Sequence, residues 1–456
     1  MAMTLAERLA AFAADLRFDD LPSAVVADVK LRTLDVLGIA LAASGHEVGA
    51  PMRAGLEPWA GRGECTVVGA KFTASAPIAI LLNGTLAHGL DFDDTHAPSV
   101  THASAVVVPT VLALGEAGGL DGRAIITAAV AGYEAIARIG MGAPAAFHRR
   151  GWHATSVCGT FAAALAAGVC ERMDRAALTA ALGIAGSFAS GVMEFLEDGS
   201  WVKRLHPGWA GQAGATAAAL ARAGFPGPAT VLEGRYGLYR TFVDAEPDPR
   251  PFETLGRTWE TLNVGFKPYP ACHYLHAFLD CALSLRDKER VEPDAIEAIE
   301  CAVPPTGMPI VAEPHEAKRR PRTPYDAQFS LPYSVAAAFV DGRVDLDTYA
   351  AERLTDRRVL ALADRVVCRP DPDTTFPRGF PGWVRVRLVD GRTVEACEPD
   401  GRGGPARPLP ERAIVEKFRA NAARVVPASR VSDVERATLE LDTLGEVRGL
   451  MSLCRA

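Results

Sequence analysis

The spacing of apolar residues predicts that the first half of the chain is helical. Apolar side chains recur every three or four residues from Leu5 to Leu16 and from Val25 to about Ala43, which is the period of an amphipathic helix. The same pattern predicts helices in six further segments, most of them rich in alanine: 75–88, 104–117, 122–139, 155–171, 175–189 and 210–223. Alanine favours helix formation and lets helices approach closely, so we expect a tightly packed bundle.

The pattern changes after about residue 255. Apolar residues alternate with polar ones at 295–303, 365–368, 383–388 and 393–397, which predicts strands, while 276–286 and 331–340 keep a helical period. Asp390-Gly391 separates the last two strands and indicates a hairpin turn. Glycine, proline and charged residues interrupt the apolar spacing at 45–62, 193–209 and 304–324, where we expect irregular structure.

These elements predict a mainly α protein with two domains. A large, discontinuous all-helical domain is expected at residues 1–266, and a smaller α+β lid domain at 267–409. The boundary lies at a segment that Pro268 and Pro270 make rigid. Helical spacing returns at 411–423 and 432–439, so residues 410–456 are expected to rejoin the helical domain.

One stretch, residues 82–102, contains the polar side chains that are best suited to catalysis. Within it lie three aspartates, three histidines and three threonines, between apolar runs that are expected to be buried. A buried charge is costly unless it is paired or used, so we interpret the stretch as the acid/base floor of an active site. One carboxylate is expected to face a cavity, and the others to bind backbone N–H groups or arginine. For Asp93-Asp94-Thr95, a helix N-cap is an equally good interpretation.

Other polar residues stand at positions suited to an anionic ligand. His153 precedes a predicted helix, whose first turn offers free N–H groups. Lys203 and Arg204 lie beside His206 in a segment with tryptophan and glycine, and such a positive cluster suits a carboxylate. Lys267 and His273 bracket the rigid segment at the domain boundary, where clefts often bind small molecules. The structural alternatives are a helix cap for His153, a solvated loop for Lys203 and Arg204, and a plain hinge for Lys267 and His273.

Composition excludes several classes of protein. The net charge of -7 provides no basic field for nucleic acid. Charged residues interrupt the first seventeen residues and no long apolar run is free of interruptions, so neither export nor a membrane span is expected. Nine cysteines without a CxxC pair favour reduced thiols in a cytoplasm. The dinucleotide, P-loop, nucleophile-elbow and HExxH motifs are absent, and no metal is expected.

Four segments together resemble the MmgE/PrpD family: Asn83–His96, Gly151–Thr155, Leu205–Ala210 and Lys267–His273. This family contains 2-methylcitrate dehydratase, cis-aconitate decarboxylase and iminodisuccinate epimerase. The resemblance runs from about Leu5 to the C-terminus. It implies a large all-helical domain, an α+β lid, a homodimer, and chemistry with no metal and no organic cofactor.

The resemblance also implies roles for individual residues. By position it makes Asp91 and Thr95 pocket residues, His102 and His153 the active-site histidines, and Lys203 the substrate-binding lysine, with Arg204 beside it. It assigns Lys267, Cys272 and His273 to the lid hinge, and Tyr333 to a lid residue that reaches the pocket. The chain departs from the family pattern at residues 101–104 and at Cys272, where the decarboxylases carry histidine. Both departures count against the decarboxylase branch.

We therefore expect a cofactor-independent lyase that acts on a small polycarboxylate, with dehydration of a 2-methylcitrate-like 2-hydroxy tricarboxylate as the main hypothesis. His102 and His153 are the expected proton-transfer pair, with Asp91 orienting one of them. Lys203 and Lys267 are expected to hold the carboxylates. Decarboxylation or epimerisation of a related di- or tricarboxylate is the alternative, because it uses the same carbanion. A non-catalytic carboxylate-binding protein is a more distant alternative.

Overall fold

The computed structural model describes residues 3–376 and 379–456. Helices account for 57% of the residues and strands for 8%, so the prediction of a mainly α fold is confirmed. The described chain forms two compact units. The helical unit comprises the chain up to Phe195, Ser200–Phe266 and Pro410–Ala456, and the mixed unit comprises Leu196–Gly199 and the described part of Lys267–Leu409.

In chain order the α-helices are α1 (Leu5–Asp15), α2 (Ser23–Ser44), α3 (Gly49–Leu56), α4 (Ala76–His88), α5 (Ser104–Gly118), α6 (Gly122–Met141), α7 (Ala146–Arg149), α8 (Ala154–Cys170), α9 (Arg175–Ala185), α10 (Phe195–Asp198), α11 (Val202–Arg222), α12 (Arg250–Glu253), α13 (His276–Lys288), α14 (Met308–Val311), α15 (His315–Arg319), α16 (Pro324–Gln328), α17 (Leu331–Asp341), α18 (Arg357–Ala363), α19 (Glu411–Ala422), α20 (Ala428–Leu439) and α21 (Arg448–Leu453). The strands are β1 (Cys65–Thr66), β2 (Thr73–Ala74), β3 (Thr95–His96), β4 (Val264–Gly265), β5 (Ile296–Val303), β6 (Val366–Pro370), β7 (Gly382–Leu388) and β8 (Thr393–Glu398).

Small residues let the central helices of the helical unit touch. A Cβ added to Gly84 of α4 would lie 2.6 Å from Cα of Gly208 of α11, and one added to Gly214 of α11 would lie 2.5 Å from Cβ of Ala163 of α8. Both contacts are shorter than an ordinary Cβ contact allows, so the glycines are needed for the observed helix spacing. The expected close helix packing is therefore present where α4, α8 and α11 meet.

The helix ends follow ordinary capping chemistry. The side chain of Asp121 accepts a hydrogen bond from the N–H of Ala124 at 2.7 Å at the start of α6, and Asp174 does the same for α9. α19 packs on α2 through Lys417, whose Nζ lies 2.9 Å from a carboxylate oxygen of Asp35. The segment after Pro410 thus belongs to the same unit as the N-terminal helices.

The mixed unit is built on a four-stranded sheet with the order β6-β5-β7-β8. β5 and β6 are parallel, while β5–β7 and β7–β8 are antiparallel. β7 alternates buried and more exposed residues, so that Val384 and Val386 face a core that also contains Phe278 of α13 and Phe339 of α17. Gly391 has a φ of 85° in the turn between β7 and β8, which confirms the predicted hairpin.

Three predictions about local structure were wrong. The segment 45–62 contains helix α3, and the segment 304–324 contains the short helices α14 and α15. α11 begins at Val202 rather than near residue 210, although Pro207 lies inside it. Proline removes one backbone hydrogen bond of the helix. The buried face that carries Lys203, Arg204 and His206 is nevertheless part of α11.

Among the described residues one helix, α6, is long and apolar enough to cross a membrane by length and composition alone. In the fold, 89% of its most apolar window is buried against other parts of the protein. Core helices of globular domains pass the same test, so the burial explains the apolar composition of α6.

Candidate active site

The loop between α4 and α5 carries the polar residues that the sequence singled out. α4 ends at His88, and the backbone of Asp91 then takes a left-handed conformation with a φ of 51°. Aspartate tolerates this conformation better than most residues, so it suits the turn. The loop continues through β3, which pairs with Val264–Gly265, and α5 begins at Ser104.

Two of the three aspartates in this loop contact Lys203 and His88, which both belong to the helical unit. Oδ2 of Asp91 accepts a hydrogen bond from Nζ of Lys203 at 2.5 Å. Oδ2 of Asp93 lies 2.7 Å from Nδ1 of His88. All four side chains are buried, so each interaction is shielded from water. The contact seen for Asp91 is thus with an ammonium, and the contact seen for Asp93 is with an imidazole. The orienting role expected of Asp91 stays a prediction.

Asp94 has a structural role. Its Oδ2 lies 3.2 Å from Nη1 of Arg32, and its Oδ1 accepts the N–H of Ser104 at 3.1 Å, at the first residue of α5. The expectation that a carboxylate of this loop pairs with arginine and binds a backbone N–H is confirmed. The alternative that Asp93-Asp94-Thr95 begins a helix is wrong, because Thr95 lies in strand β3.

Three histidines meet beside this loop. The ring centroid of His88 lies 5.0 Å from that of His102 and 5.8 Å from that of His153, and the last two are 6.0 Å apart. His88 and His153 are buried, and His102 is partly exposed. The structure therefore brings together the two predicted active-site histidines, His102 and His153, and adds a third ring between α4 and the loop.

Hydrogen bonds fix the tautomers of two of these rings. Nδ1 of His102 lies 2.7 Å from the carbonyl oxygen of Asp94, and a carbonyl oxygen can only accept, so Nδ1 carries the proton. The hydroxyl of Thr95 lies 3.3 Å from the same nitrogen. Nδ1 of His88 likewise donates to the Asp93 carboxylate. In their neutral forms both rings therefore present a lone pair on Nε2.

α11 contributes Lys203 and His206, which lie three residues apart and so share one face of the helix. Nδ1 of His206 lies 3.0 Å from Nδ1 of His153, so one of these two nitrogens donates to the other. The ring of Phe195 lies within 6.4 Å of His153 and 5.9 Å of His206, measured between centroids. An aromatic side chain thus covers the two imidazoles on one side.

The surroundings keep the imidazoles of His153 and His206 neutral. Burial lowers the pKa of His153 well below its usual range, and the charges of His206, Lys203, His88 and His102 lower it further. Burial, with His88 and Lys203, also lowers the pKa of His206 to about 4. A neutral imidazole accepts a proton, and a ring with a lowered pKa becomes a strong acid once it is protonated. An anionic ligand would offset the positive charges and favour that protonation.

The same three rings could in principle hold a metal ion. One nitrogen each from His88, His102 and His153 lies within 4.8 Å of the others, and residues 3–376 and 379–456 contain no other such group of histidine, cysteine, aspartate or glutamate. However, the ammonium of Lys203 is close enough to lower the pKa of His153. The same charge would repel a cation, so the donor set fits proton transfer and anion binding better.

Arg204 faces a different set of partners from Lys203. Its Nη1 lies 3.4 Å from a carboxylate oxygen of Glu47, and its Cζ lies 5.1 Å from the ring centroid of Trp201. These contacts hold the guanidinium between a carboxylate and an aromatic ring. A substrate-binding role for Arg204 therefore stays a prediction.

The remaining predicted site residues belong to the mixed unit. Lys267 is fully buried, and Cys272 is buried and donates its N–H to the carbonyl oxygen of Gln328 at 2.9 Å. The ring centroid of His273 lies 4.6 Å from that of Phe380. Tyr333 is also fully buried, and its hydroxyl donates to the carbonyl oxygen of Thr348 at 3.0 Å. The roles assigned to these residues by resemblance stay predictions.

Sequence reasoning gave no individual role to two histidines near this loop, although His88 lies in the polar stretch 82–102 and His206 lies in the positive cluster with Lys203. His88 lies at the end of a predicted helix, where a histidine is already explained by the helix dipole. His206 lies in a segment that was expected to be irregular, so its helical spacing from Lys203 was hidden. The signal that could have found both is their position inside the family-like segments Asn83–His96 and Leu205–Ala210.

Comparison with known proteins gives matches to two family models. The N-terminal domain model of MmgE/PrpD matches residues 7–250, and the C-terminal domain model matches residues 269–443. Together these matches cover most of the chain, including every residue of the histidine cluster.

Curated relatives carry two kinds of names. The cis-aconitate decarboxylase-like protein oryM of Aspergillus oryzae is 27% identical, with 96% of this chain and 95% of the relative covered. The cis-aconitate decarboxylase of Mus musculus is 26% identical, with 100% and 94% covered. The 2-methylcitrate dehydratase of Salmonella typhimurium is 26% identical over 49% of each chain.

Proposed function

Because the chain belongs to the MmgE/PrpD family, we propose that it is a lyase that removes carbon dioxide from a small unsaturated polycarboxylate of the cis-aconitate type. The relatives that match over nearly their whole length are named for this reaction, whereas the dehydratases match over about half. The resemblance of the sequence motifs favoured dehydration, and the comparisons give the decarboxylase alternative the better support.

The observation that carries the proposal is a cluster of imidazoles, among which burial keeps His153 neutral, beside the buried ammonium of Lys203. When a carboxylate leaves from the carbon next to a C=C bond, the electrons of the broken C–C bond form a new C=C bond. The old C=C bond then takes a proton at its far carbon. The reaction needs a proton donor and cations that hold the other carboxylates. Protonated His102 or His153 supplies the donor, and Lys203 supplies a cation.

The low pKa of His153 suits this task. In the absence of a ligand, burial and nearby positive charge keep the ring neutral. A bound polycarboxylate adds negative charge at the same place, which raises the affinity of the ring for a proton. The protonated imidazole then gives that proton to carbon. Lys203 changes partner in the same step, because the substrate carboxylate competes with Asp91 for its ammonium.

The test is a product analysis of the purified protein with ¹³C-labelled cis-aconitate in one sample and 2-methylcitrate in another. Nuclear magnetic resonance distinguishes loss of labelled carbon dioxide from loss of water. We expect carbon dioxide and an unsaturated dicarboxylate from cis-aconitate. His102→Gln and His153→Gln serve as matched variants, and each is expected to lose about 100-fold or more in kcat. Binding of cis-aconitate without conversion would contradict the proposal.

Dehydration of a 2-methylcitrate-like hydroxy acid is the second candidate. It is favoured by the match to the Salmonella typhimurium dehydratase, which is 26% identical over 247 residues. The same groups can serve, with one imidazole taking the proton beside a carboxylate and another protonating the departing hydroxyl. A C=C product from 2-methylcitrate, with no carbon dioxide from cis-aconitate, would select this candidate.

A further inference from the structure

His88 is the histidine of the cluster whose observed partner is a carboxylate. Its Nδ1 lies 2.7 Å from Oδ2 of Asp93, and the two side chains are only 1% and 0% exposed. Its other nitrogen, Nε2, is buried and has no hydrogen-bond partner among the described residues. A buried polar atom without a partner is uncommon and calls for an explanation. The rings next to His88 provide an explanation, because they are the imidazoles of His102 and His153.

The contact with the Asp93 carboxylate distinguishes His88 from the other two rings of the cluster. An imidazolium next to a carboxylate in a buried site is stabilised by the opposite charge. Nδ1 of His102 faces a neutral carbonyl oxygen, and Nδ1 of His153 faces the imidazole of His206. Of these three Nδ1 atoms, that of His88 is the one observed in contact with a carboxylate. Other titratable groups interact with this pair: His206 with His88, and the carboxylates of Asp35 and Asp94 with Asp93.

We propose that His88, held by Asp93, is a positioning residue that stores a proton and relays it through Nε2 to His102 or His153. The inference rests on the proposed function, because decarboxylation consumes one proton for each carbon dioxide released. In the relay, the Nε2–H bond of the His88 imidazolium breaks and an N–H bond forms on the acceptor ring. His88 keeps its Nδ1–H bond to Asp93 and becomes neutral, and solvent later returns one proton to the cluster.

The kinetic test uses Asp93→Asn and His88→Gln. The amide introduced by the first substitution cannot stabilise an imidazolium, and the glutamine introduced by the second cannot carry the proton. We expect kcat to fall at least about tenfold with KM within about threefold, as for the loss of a proton-transfer group. In Asp93→Asn the alkaline limb of the kcat profile should move to lower pH, because the protonated ring loses its counter-charge and releases its proton sooner.

A second buried histidine–carboxylate pair provides the matched control. Nε2 of His96 lies 3.2 Å from Oε2 of Glu260, and Nδ1 of His96 lies 2.7 Å from the hydroxyl of Ser99. Both ring nitrogens of His96 have hydrogen-bond partners, so neither nitrogen is available for a proton relay. His96→Gln and Glu260→Gln should keep the pH profile of the wild-type protein once the folded fraction is taken into account. The proposal is overturned if folded His88→Gln or Asp93→Asn keeps kcat within about threefold of the wild type, or if its pH profile does not differ from that of the controls.

Two measurements on the wild-type protein do not depend on these variants folding or on the identity of the substrate. A neutron structure should place hydrogen on both Nδ1 and Nε2 of His88, as in an imidazolium, and hydrogen on only one of the two nitrogens would overturn the proposal. Metal analysis should find no stoichiometric ion, because a metal bound to Nε2 would leave no atom for the relay. If the wild-type protein converts neither cis-aconitate nor 2-methylcitrate, the proposed function fails, whereas the relay is still decided by the hydrogen positions.

Discussion

The ion pair between Lys203 and Asp91 allows stability and activity to be separated. Its atoms are 2.5 Å apart, and the side chains are 9% and 2% exposed. When one partner of a buried pair is removed, the other charge is left uncompensated, which costs about 3–5 kcal/mol. We expect Lys203→Met and Asp91→Asn each to lower the free energy of unfolding by about that amount. Asparagine tolerates the left-handed backbone of residue 91, so Asp91→Asn tests the charge and not the turn.

The double variant gives the decisive comparison. With both charges removed, no buried charge remains unpaired, and most of the lost stability should return, with a coupling energy of about 2 kcal/mol or more. Activity should not return, because the substrate still lacks the ammonium of Lys203. Urea unfolding followed by circular dichroism gives the stabilities, and turnover of the substrate gives the activity.

An exposed ion pair of the same unit serves as the control for this cycle. Arg175 and Asp15 form an ion pair with side chains 63% and 62% exposed. The corresponding cycle, with Arg175→Met and Asp15→Asn, should give a coupling energy of at most about 1 kcal/mol. If the cycle for Lys203 and Asp91 gives no more than this, the buried pair is screened by water. The electrostatic reasoning about the site would then be wrong.

Three further predictions address packing, pH and metal. Gly208→Ala should lower the free energy of unfolding by about 1–3 kcal/mol, because its Cβ would lie 2.2 Å from the carbonyl oxygen of Leu81. Gly55→Ala, in helix α3 with no atom within 4 Å, should instead leave the free energy of unfolding unchanged or raise it by up to about 1 kcal/mol, and thermal melts compare the two variants. Burial lowers the pKa of His148 and of His206 to about 4, so the unfolded chain binds more protons between pH 6.5 and 4. Urea titrations should show that the free energy of unfolding falls as the pH is lowered through this window, by up to about 3 kcal/mol per histidine. Asp35, whose pKa burial raises to about 6, opposes this fall below pH 6. If the free energy of unfolding does not fall, the predicted direction of the pH dependence is wrong. Turnover should survive dialysis against EDTA, and a loss that zinc restores would identify His88, His102 and His153 as ligands.

The sequence allowed the location of the site to be predicted better than its internal contacts. The polar stretch 82–102 was recognisable because charge between two apolar runs has to be paired or used. The partner of Asp94, however, is Arg32, which lies 62 residues away in the chain. No local pattern reports a contact of that kind. The pairing of His88 with Asp93 likewise depends on the left-handed turn at Asp91, which no apolar period reveals.

The helix that carries Lys203 shows a second kind of limit. Pro207 and Gly208 disfavour a helix when only local propensity is considered, so the start of α11 was predicted too late. Tertiary packing overrides that propensity, since Gly208 is the residue that lets α11 touch α4. α6 and α8 contain no proline, and these helices begin within one residue of their predicted starts.

The contact between Gly84 and Gly208 has a consequence for redesign of this enzyme. His88 lies one turn after Gly84, and His206 lies two residues before Gly208, so two main chains in direct contact set the distance between these imidazoles. Peptide backbone cannot be trimmed or lengthened by substitution. A library intended to alter the range of accepted acids should therefore spare this crossing and vary peripheral side chains such as Phe195.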